Sequence, residues 1–224
     1  MNYLRKLKIK GKGMISIFSL KEVKYKDILN IENLSIQERK VTCIVGESGS
    51  GKTTLIKLLN KLISPDTGEI FYNYQSINHI DSIKLRREVV MLPQSPAIFR
   101  GTIEDNLLIG LKFSEKPQVS DNKLYEVLKM VNLNKDLTED AETLSGGEKQ
   151  RVALGRVILM EPEVLLLDEP SSALDEDTEN IIINSLVNYA RENNKTLIIV
   201  THSKRVAAIF SDHIIEIKKG KVIS

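Results

Sequence analysis

Hydrophobic and polar positions along this chain follow two periods, which predict two kinds of element. Residues 15–25 and 28–36 alternate between apolar and polar side chains, as strands with one buried face do. Short apolar runs predict strands that are covered on both faces, as in a parallel sheet. Such runs occupy residues 41–45, 89–92, 164–167 and 197–201.

Segments with helical spacing separate these runs. Residues 52–63, 145–160 and 177–193 predict three helices. The alternation of strand and helix predicts an α/β fold with a mostly parallel central sheet and helices on both of its faces. Further short strands are predicted at 69–72 and, as a closing hairpin, at 214–217 and 221–223.

The segment from 94 to 143 has a different character. It contains prolines and glycines, and its helical patterns, at 102–109 and 122–131, are short. We interpret this segment as a mostly helical insertion. We therefore predict one domain over residues 1–224, with a core lobe and a helical lobe. The core lobe would comprise about 14–93 and 155–224, and the helical lobe about 94–154.

Composition excludes several classes of protein. The 224 residues are 42% apolar and 28% charged, which suits a globular domain, and a net charge of +2 gives no reason to expect a nucleic acid partner. The single cysteine, Cys43, excludes an internal disulfide, and its place inside a predicted strand makes it a core residue. No apolar run reaches the ~18 residues of a membrane span. With no secretory signal either, we expect a cytoplasmic protein.

Positive charge is concentrated at the start of the chain. Five basic residues alternate there with apolar ones: Arg5, Lys6, Lys8, Lys10 and Lys12. The pattern favours a solvated leader, and contact with anionic lipid headgroups is the alternative. Met14 offers an alternative start of the chain.

Residues 46–53 carry the strongest chemical signal. They read G-E-S-G-S-G-K-T and fit the phosphate-binding pattern G-x-x-x-x-G-K-[S/T], between an apolar strand and an amphipathic helix. Glycines let backbone N–H groups converge on phosphate oxygens, and the helix N-terminus attracts the same anion. Lys52 would meet the β- and γ-phosphates of a nucleotide, and Thr53 would bind Mg²⁺. The predicted nucleotide-binding residues of this loop are Gly46, Glu47, Ser48, Gly49, Ser50, Gly51, Lys52, Thr53 and Thr54.

Two carboxylates follow the predicted strand 164–167. Ligands gather at the carboxyl ends of the strands in a parallel sheet, so Asp168 is a candidate ligand of Mg²⁺. Hydrolysis also needs a group that deprotonates or orients the attacking water, and Glu169 is the candidate base. The alternative is that Glu169 only caps the turn at Pro170.

A second glycine-rich helix start reads L-S-G-G-E at residues 144–148. Ser145 and Glu148 have the spacing of a capping box, so a purely structural cap is one interpretation. The alternative is a phosphate site, because Gly146 and Gly147 each cost a helix about 1 kcal/mol relative to alanine but leave N–H groups open to an anion. Since one phosphate loop is already present, a second phosphate site suggests a site shared between two subunits.

Together these motifs resemble the ATP-binding subunits of ABC transporters over nearly the whole chain. Six pieces occur in the family's order: 46–53, Gln94, 144–148, 164–169, 172–175 and His202. The resemblance implies a P-loop NTPase fold with an N-terminal antiparallel β subdomain and an inserted helical subdomain. It also implies a magnesium-dependent ATPase that dimerises head-to-tail around two ATP molecules.

The resemblance assigns further roles residue by residue. Gln94 would reach Mg²⁺ and the attacking water, and His202 would hold the γ-phosphate and that water. Ser145 and Gly147, with Gly146 between them, would contact the γ-phosphate bound to the opposite subunit. Asp175 would link the two sites across the dimer.

Two positions depart from the family's pattern. Residues 144–148 correspond to the family's signature, which usually ends in glutamine, whereas this chain has Glu148. A carboxylate that turns back to cap Ser145 explains how this charge is tolerated. Tyr25 is the best match for the aromatic residue that stacks on adenine, although it lies closer to Gly46 than the family's spacing. His79 and His213 match no motif, and we expect both at the surface.

The resemblance also predicts where and how the protein acts. It implies a homodimer that drives transport through separate integral membrane subunits, from the inner face of the cell membrane. Residues 99–106 resemble exporter ATPases, and overall similarity favours the FetA-type group, which implies export of a metal ion such as iron. A soluble ABC ATPase without transport and a nucleotide-binding regulatory module are the alternatives.

Overall fold

A computed structural model describes residues 15–223, and it shows an α/β fold with two sheets. The basic N-terminal residues and Met14 lie outside the described residues. The strands are β1 Ser16–Tyr25, β2 Leu29–Gln37, β3 Val41–Val45, β4 Thr67–Tyr72, β5 Gln75–Ser76, β6 Val89–Leu92, β7 Val164–Asp168, β8 Thr196–Val200, β9 His213–Lys218 and β10 Lys221–Val222. The α-helices are α1 Lys52–Leu59, α2 Ser82–Glu88, α3 Ile103–Phe113, α4 Asp121–Met130, α5 Gly146–Leu159, α6 Glu176–Glu192 and α7 Lys204–Phe210.

A six-stranded sheet forms the centre of the fold, in the order β10-β9-β3-β8-β7-β6. Strands β9, β3, β8, β7 and β6 run parallel, and β10 pairs antiparallel with β9. Every residue of β3, β7 and β8 is buried, because both faces of the sheet are covered. The mostly parallel sheet and the closing hairpin predicted from the apolar runs are confirmed.

The N-terminal part of the chain forms a second, antiparallel sheet in the order β2-β1-β4-β5. Strands β1 and β2 pair from Ser16 opposite Gln37 to Tyr25 opposite Leu29. Their inward side chains join a buried cluster that also contains Leu55 of helix α1. The antiparallel β subdomain therefore packs against the helix that follows the phosphate loop.

Helices α3, α4 and α5 form the inserted helical subdomain. Gly155 permits their close packing, because a Cβ at this position of α5 would lie 3.0 Å from side-chain atoms of Leu107 in α3 and Val127 in α4. The apolar faces of these helices join a buried cluster that includes Leu165 and Leu167 of strand β7. The subdomain is thus continuous with one face of the central sheet.

Some element boundaries differ from the sequence predictions. Helix α1 ends at Leu59 and not at 63, because Lys61 has a left-handed φ of 56° and the N–H of Leu62 bonds back to the carbonyl of Lys57. Helix α3 continues beyond 109 to Phe113. The sequence pattern does not predict α2 and α7, because each has only seven residues and buries one or two apolar side chains.

No helix within residues 15–223 is long and apolar enough to cross a membrane. The thiol of Cys43 is buried in β3, and burial raises its pKa to about 11, as expected of a core residue. His79 is exposed as predicted. The prediction for His213 was too simple, because this residue is half-buried in β9 and its Nε2 lies 2.7 Å from Oε1 of Gln37.

Gly68 at the start of β4 provides a test of the packing between β4 and β1. Its φ is +86°, and an added Cβ would lie 2.3 Å from the carbonyl oxygen of Glu22. We expect Gly68→Ala to lower the free energy of unfolding by roughly 2–4 kcal/mol, as measured by urea denaturation of the nucleotide-free protein.

Gly49→Ala is the matched control, because Gly49 also has a positive φ of +75° but a Cβ added there would have no atom within 4 Å. We expect this control to cost about 1 kcal/mol from backbone strain alone. Equal losses in the two variants would show that the contact with Glu22 does not matter.

Candidate active site

Four neighbouring parallel strands bring the predicted site residues to one edge of the central sheet. β3 leads into the phosphate loop at Gly46, and β7 ends at Asp168. Gln94 follows β6 and His202 follows β8, each by two residues. Because β6, β7, β8 and β3 are adjacent in the sheet, their carboxyl ends lie side by side, where ligands of such sheets bind.

Three glycines shape the phosphate loop. Gly46, Gly49 and Gly51 have φ angles of 151°, 75° and 106°, in a region that side-chain-bearing residues rarely adopt. Gly46 also lies against the sheet, since a Cβ there would be 2.2 Å from the carbonyl oxygen of Ile217. Of the other predicted loop residues, Glu47 and Ser48 are exposed, Ser50 is buried and Thr54 is half-buried.

Lys52 is buried at the centre of this loop, with 5% of its surface exposed. Its Nζ donates hydrogen bonds of 2.8 Å to the carbonyl oxygens of Gly46 and Glu47. Burial lowers the pKa of Lys52, and the nearby carboxylates of Glu169 and Asp168 oppose that shift. The ammonium group forms no ion pair with a carboxylate of the described residues, so a cation held only by carbonyl groups is ready to meet an anion.

Thr53 and Asp168 meet beside the loop. The Thr53 hydroxyl donates to Oδ1 of Asp168 at 3.1 Å, and Asp168 is 3% exposed. Burial raises the pKa of Asp168 above its usual range, and the lysines nearby oppose this shift only in part. A buried carboxylate next to a hydroxyl fits a bound cation, which would relieve the cost of its charge.

The described residues hold no cluster of three or more acidic, histidine or cysteine side chains arranged for a metal. A metal at this edge would therefore take the oxygens of Thr53 and Asp168, and its other ligands would be water or phosphate oxygens. Mg²⁺ is commonly bound in this way, by one or two protein oxygens together with a substrate phosphate. The residues present thus fit Mg²⁺ bound with a nucleotide.

Glu169 is the point where the side chains from three strands converge. Its Oε2 accepts a 2.7 Å hydrogen bond from Nε2 of Gln94, and its Oε1 contacts Nε2 of His202. The backbone of Glu169 has a left-handed φ of +49°, and its N–H donates to the carbonyl of Val200 at 3.0 Å. A left-handed φ is uncommon for a non-glycine residue, and the bond to Val200 helps to hold it.

Gln150 is a site-supporting residue that the sequence motifs did not reveal. It lies on α5 and is 3% exposed, and its Nε2 donates to the carbonyl oxygen of Glu169 at 3.1 Å. This bond helps to hold Glu169 in its left-handed conformation. A polar residue on the buried face of a predicted helix is the signal that could have indicated such a role.

The capping box predicted for the second glycine-rich helix start is present. The N–H and the hydroxyl of Ser145 both donate to Oε2 of Glu148 at 2.8 Å, and the N–H of Glu148 donates to Oγ of Ser145 at 3.4 Å. Gly147 packs toward Leu174, but a Cβ at Gly146 would meet no atom within 4 Å. The helix start is therefore well capped and also open at Gly146.

The open helix start and the phosphate loop do not meet within one chain. No hydrogen bond or ion pair of residues 15–223 joins 144–148 to 46–54. The structure therefore brings together the phosphate loop, Gln94, Asp168, Glu169 and His202, and it leaves the residues of the signature apart from them.

Asp175 and Tyr25 have local partners in the chain. Asp175 is the N-cap of α6, where its carboxylate accepts from the N–H and hydroxyl of Thr178. The N–H bond from Thr178 is the main reason that the pKa of Asp175 is lowered. Tyr25 is half-buried at the end of β1, with the Lys26 ammonium 5.3 Å from its ring centre. Among the described residues, neither forms a hydrogen bond or ion pair with the cluster around Glu169.

The chain belongs to the ABC transporter family, whose model matches residues 29–172. The energy-coupling factor transporter ATP-binding protein EcfA2 of Mycoplasma capricolum is 38% identical over 204 residues, which cover 87% of this chain and 71% of EcfA2. The transport/processing ATP-binding protein ComA of Streptococcus pneumoniae is 36% identical over 217 residues, 92% of this chain but only 30% of ComA. The chain thus spans about a third of the length of several curated relatives.

Solved structures show the same fold. The ATP-binding cassette MJ0796, in a dimeric post-hydrolysis state bound to ADP and Pi, matches with a TM-score of 0.83 and 31% identity, covering 92% of this chain and 97% of that one. The fold and the family together define an ABC-type ATP-binding domain with the P-loop NTPase fold. The chain is accordingly an ATPase of this family.

Asp168→Asn tests the cost of the buried carboxylate. Because burial raises its pKa, the ionised form destabilises the nucleotide-free protein above that pKa, and the cost disappears as the pH falls below the usual aspartate range. Asparagine can still accept from Thr53. We expect the variant to raise the Tm at neutral pH by about 2–4 °C, the equivalent of ~1 kcal/mol, when measured by calorimetry.

Asp177→Asn, at an exposed position in the first turn of α6, is the control and should change stability by less than about 0.5 kcal/mol. The stabilisation by Asp168→Asn should also shrink toward acidic pH. A lower Tm for this variant at neutral pH would contradict the interpretation that the charge of Asp168 is held at a cost.

Proposed function

We propose that this chain is the ATP-hydrolysing subunit of a transporter, and that two copies close head-to-tail around two ATP molecules. One observation carries the proposal: each chain has a complete phosphate loop with a candidate base, and a separate helix start that the described part of the same chain leaves open at Gly146. A second copy would bring its helix start to the phosphate loop of the first. In a twofold dimer, both sites would be completed at once.

The nucleotide would be held by the phosphate loop. Lys52 would turn its ammonium group from the carbonyls of Gly46 and Glu47 to the β- and γ-phosphates, because an anion is a stronger partner than a carbonyl.

Thr53 and Asp168 would hold Mg²⁺, and Gln94 would reach it. The ion would neutralise part of the phosphate charge. Tyr25 would lie against the adenine ring.

Glu169 would act as the general base. Its carboxylate already bonds to Gln94 and contacts His202, so both side chains are within reach of a water molecule placed next to it. Gln94 and His202 would orient this water, and His202 would also contact the γ-phosphate. A base that is fixed from two sides has little freedom to lose in the transition state.

The second copy would contribute the signature residues. The hydroxyl of Ser145 and the open N–H groups at Gly146 and Gly147 would bind the γ-phosphate at a helix N-terminus. Asp175 would link the two sites near the dimer axis. Hydrolysis would remove the bridging phosphate and let the dimer open.

The membrane partner and the cargo belong to the same proposal. The relatives are named for transport, in EcfA2 as an energy-coupling factor and in ComA as a transport and processing protein. We propose that the dimer binds integral membrane subunits at the cytoplasmic face of the membrane. For the cargo we propose a metal ion such as iron, exported as in the FetA-type group, on overall similarity alone. Co-purification from detergent-solubilised membranes would identify the partner.

Glu169→Gln tests the assignment of the base. Glutamine keeps the size of the side chain and can still accept from Gln94 through its amide oxygen, but it cannot take up a proton, so we expect the ATPase rate to fall by at least about a hundredfold while ATP still binds. A coupled phosphate-release assay and ATP titration would measure both quantities. Glu163→Gln is the control, because Glu163 lies just before the N-terminal end of β7, away from the site, and pairs there with Lys195. Undiminished hydrolysis in the Glu169 variant would show that another group is the base.

Gly146→Ala separates a structural cap from a phosphate site. Since a Cβ at Gly146 would meet no atom within 4 Å among residues 15–223, the substitution should leave the Tm unchanged or raise it slightly. If the helix start binds the phosphate of a second copy, the ATPase rate should fall by about tenfold or more, because a methyl group would block close approach to the N–H groups. Unchanged rate and Tm would favour the purely structural cap.

A further inference from the structure

Glu148 places a negative charge next to the helix start that would receive a phosphate. The two carboxylate oxygens have different partners. Oε2 accepts from the N–H and the hydroxyl of Ser145, whereas Oε1 faces Nζ of Lys135 at 3.7 Å. The carboxylate is therefore held from both sides, by the helix cap and by a lysine from the loop before it.

Lys135 is shared between two carboxylates. Its Nζ lies 3.0 Å from Oε2 of Glu139 as well as 3.7 Å from Glu148, and the side chains of Lys135 and Glu148 are only 31% and 23% exposed. Partial burial limits screening of this pair by salt. Lys135 therefore links the loop at 133–139 to the start of helix α5.

The other charges near Glu148 do not replace this contact. Lys149, the next residue along the helix, directs its Nζ to the carbonyl oxygen of Glu142 at 2.9 Å. Arg151 attracts Glu148 only through space, without an ion pair in the described residues. Hydrogen bonds from Ser145 are the main reason that the pKa of Glu148 is lowered, so the side chain is ionised at neutral pH.

We propose that Lys135 is a positioning residue of the composite ATP site, holding the Glu148 carboxylate at the N-cap and offsetting its charge. The proposal rests on the proposed function, in which the same helix start binds the γ-phosphate of a second copy. Without Lys135, the carboxylate would keep its bonds from Ser145, but nothing would hold its other oxygen or offset its charge. The charge would then repel a phosphate at the N–H groups of Gly146 and Gly147, where an anion is favoured.

A double-mutant cycle tests this coupling. The background is Glu169→Gln, in which slow hydrolysis preserves the ATP-bound dimer, and the measurement is the Kd of ATP- and Mg²⁺-dependent dimerisation by analytical ultracentrifugation. We expect Lys135→Met to weaken the dimer by about fivefold. When Glu148→Gln is also present, with no charge to offset, the same substitution should change the Kd by less than about twofold.

Three controls separate positioning from a loss of structure. Lys135→Arg keeps the charge and should restore the dimer to within about twofold of the parent. Lys123→Met removes a lysine of α4 that pairs with Glu126 on the same helix, and it should have no effect. The affinity of the monomer for ATP and the Tm should be nearly the same in all variants.

Each outcome bears on a different statement. If the parent does not dimerise with ATP, the proposed function fails, and the role of Lys135 in a composite site fails with it. If the parent dimerises and Lys135→Met has no effect, the positioning role of Lys135 is overturned. The same conclusion holds if Lys135→Met weakens the dimer equally with and without the Glu148→Gln substitution.

Discussion

The alignment of four parallel strands is the constraint on which the site depends. β3, β8, β7 and β6 are neighbours in register, so Ile44 lies opposite Val200, and Val200 opposite Asp168. The residues that follow each strand emerge at the same edge, and Glu169 can meet Gln94 from one side and His202 from the other. A shift of one strand by one residue would reverse the faces of its side chains and break up this cluster. The register of these buried strands thus also fixes the positions of the site residues.

Two charged side chains at this edge are buried at a cost that a phosphate and a cation would offset. Lys52 is buried against carbonyl groups and Asp168 against a hydroxyl, and burial shifts the pKa of each toward its neutral form. Glu169 adopts a left-handed backbone conformation that its neighbours enforce. Such features lower the stability of the nucleotide-free protein, but they suit the binding of a phosphate and a cation. Functional sites commonly reduce stability in this way. The helix start at Gly146 is likewise open to an anion, on the surface that would face a second copy.

Local patterns could be predicted from the sequence, whereas tertiary contacts could not. The phosphate loop, the buried strands and the capping box depend on residues within a few positions of one another, so spacing was sufficient to identify them. Helices α2 and α7 were missed because seven residues with one or two buried side chains leave little periodicity. Gln150 and Lys135 act through residues 19 and 13 positions away, Glu169 and Glu148, and only the fold shows that these meet. The contact between His213 and Gln37 likewise joins residues 176 positions apart.

The central claim is that two copies of the chain complete each other's ATP sites, and mixing two inactive variants tests it most directly. Lys52→Ala removes the charge of the phosphate loop but leaves the helix start intact. Gly146→Asp places a carboxylate in the open helix start, where its Cβ would have no atom of the described residues within 4 Å, and leaves the loop intact. A mixed dimer would contain one complete site, so an equal mixture should recover up to roughly a quarter of the wild-type ATPase rate. A mixture no more active than the separate variants would contradict a site shared between two copies.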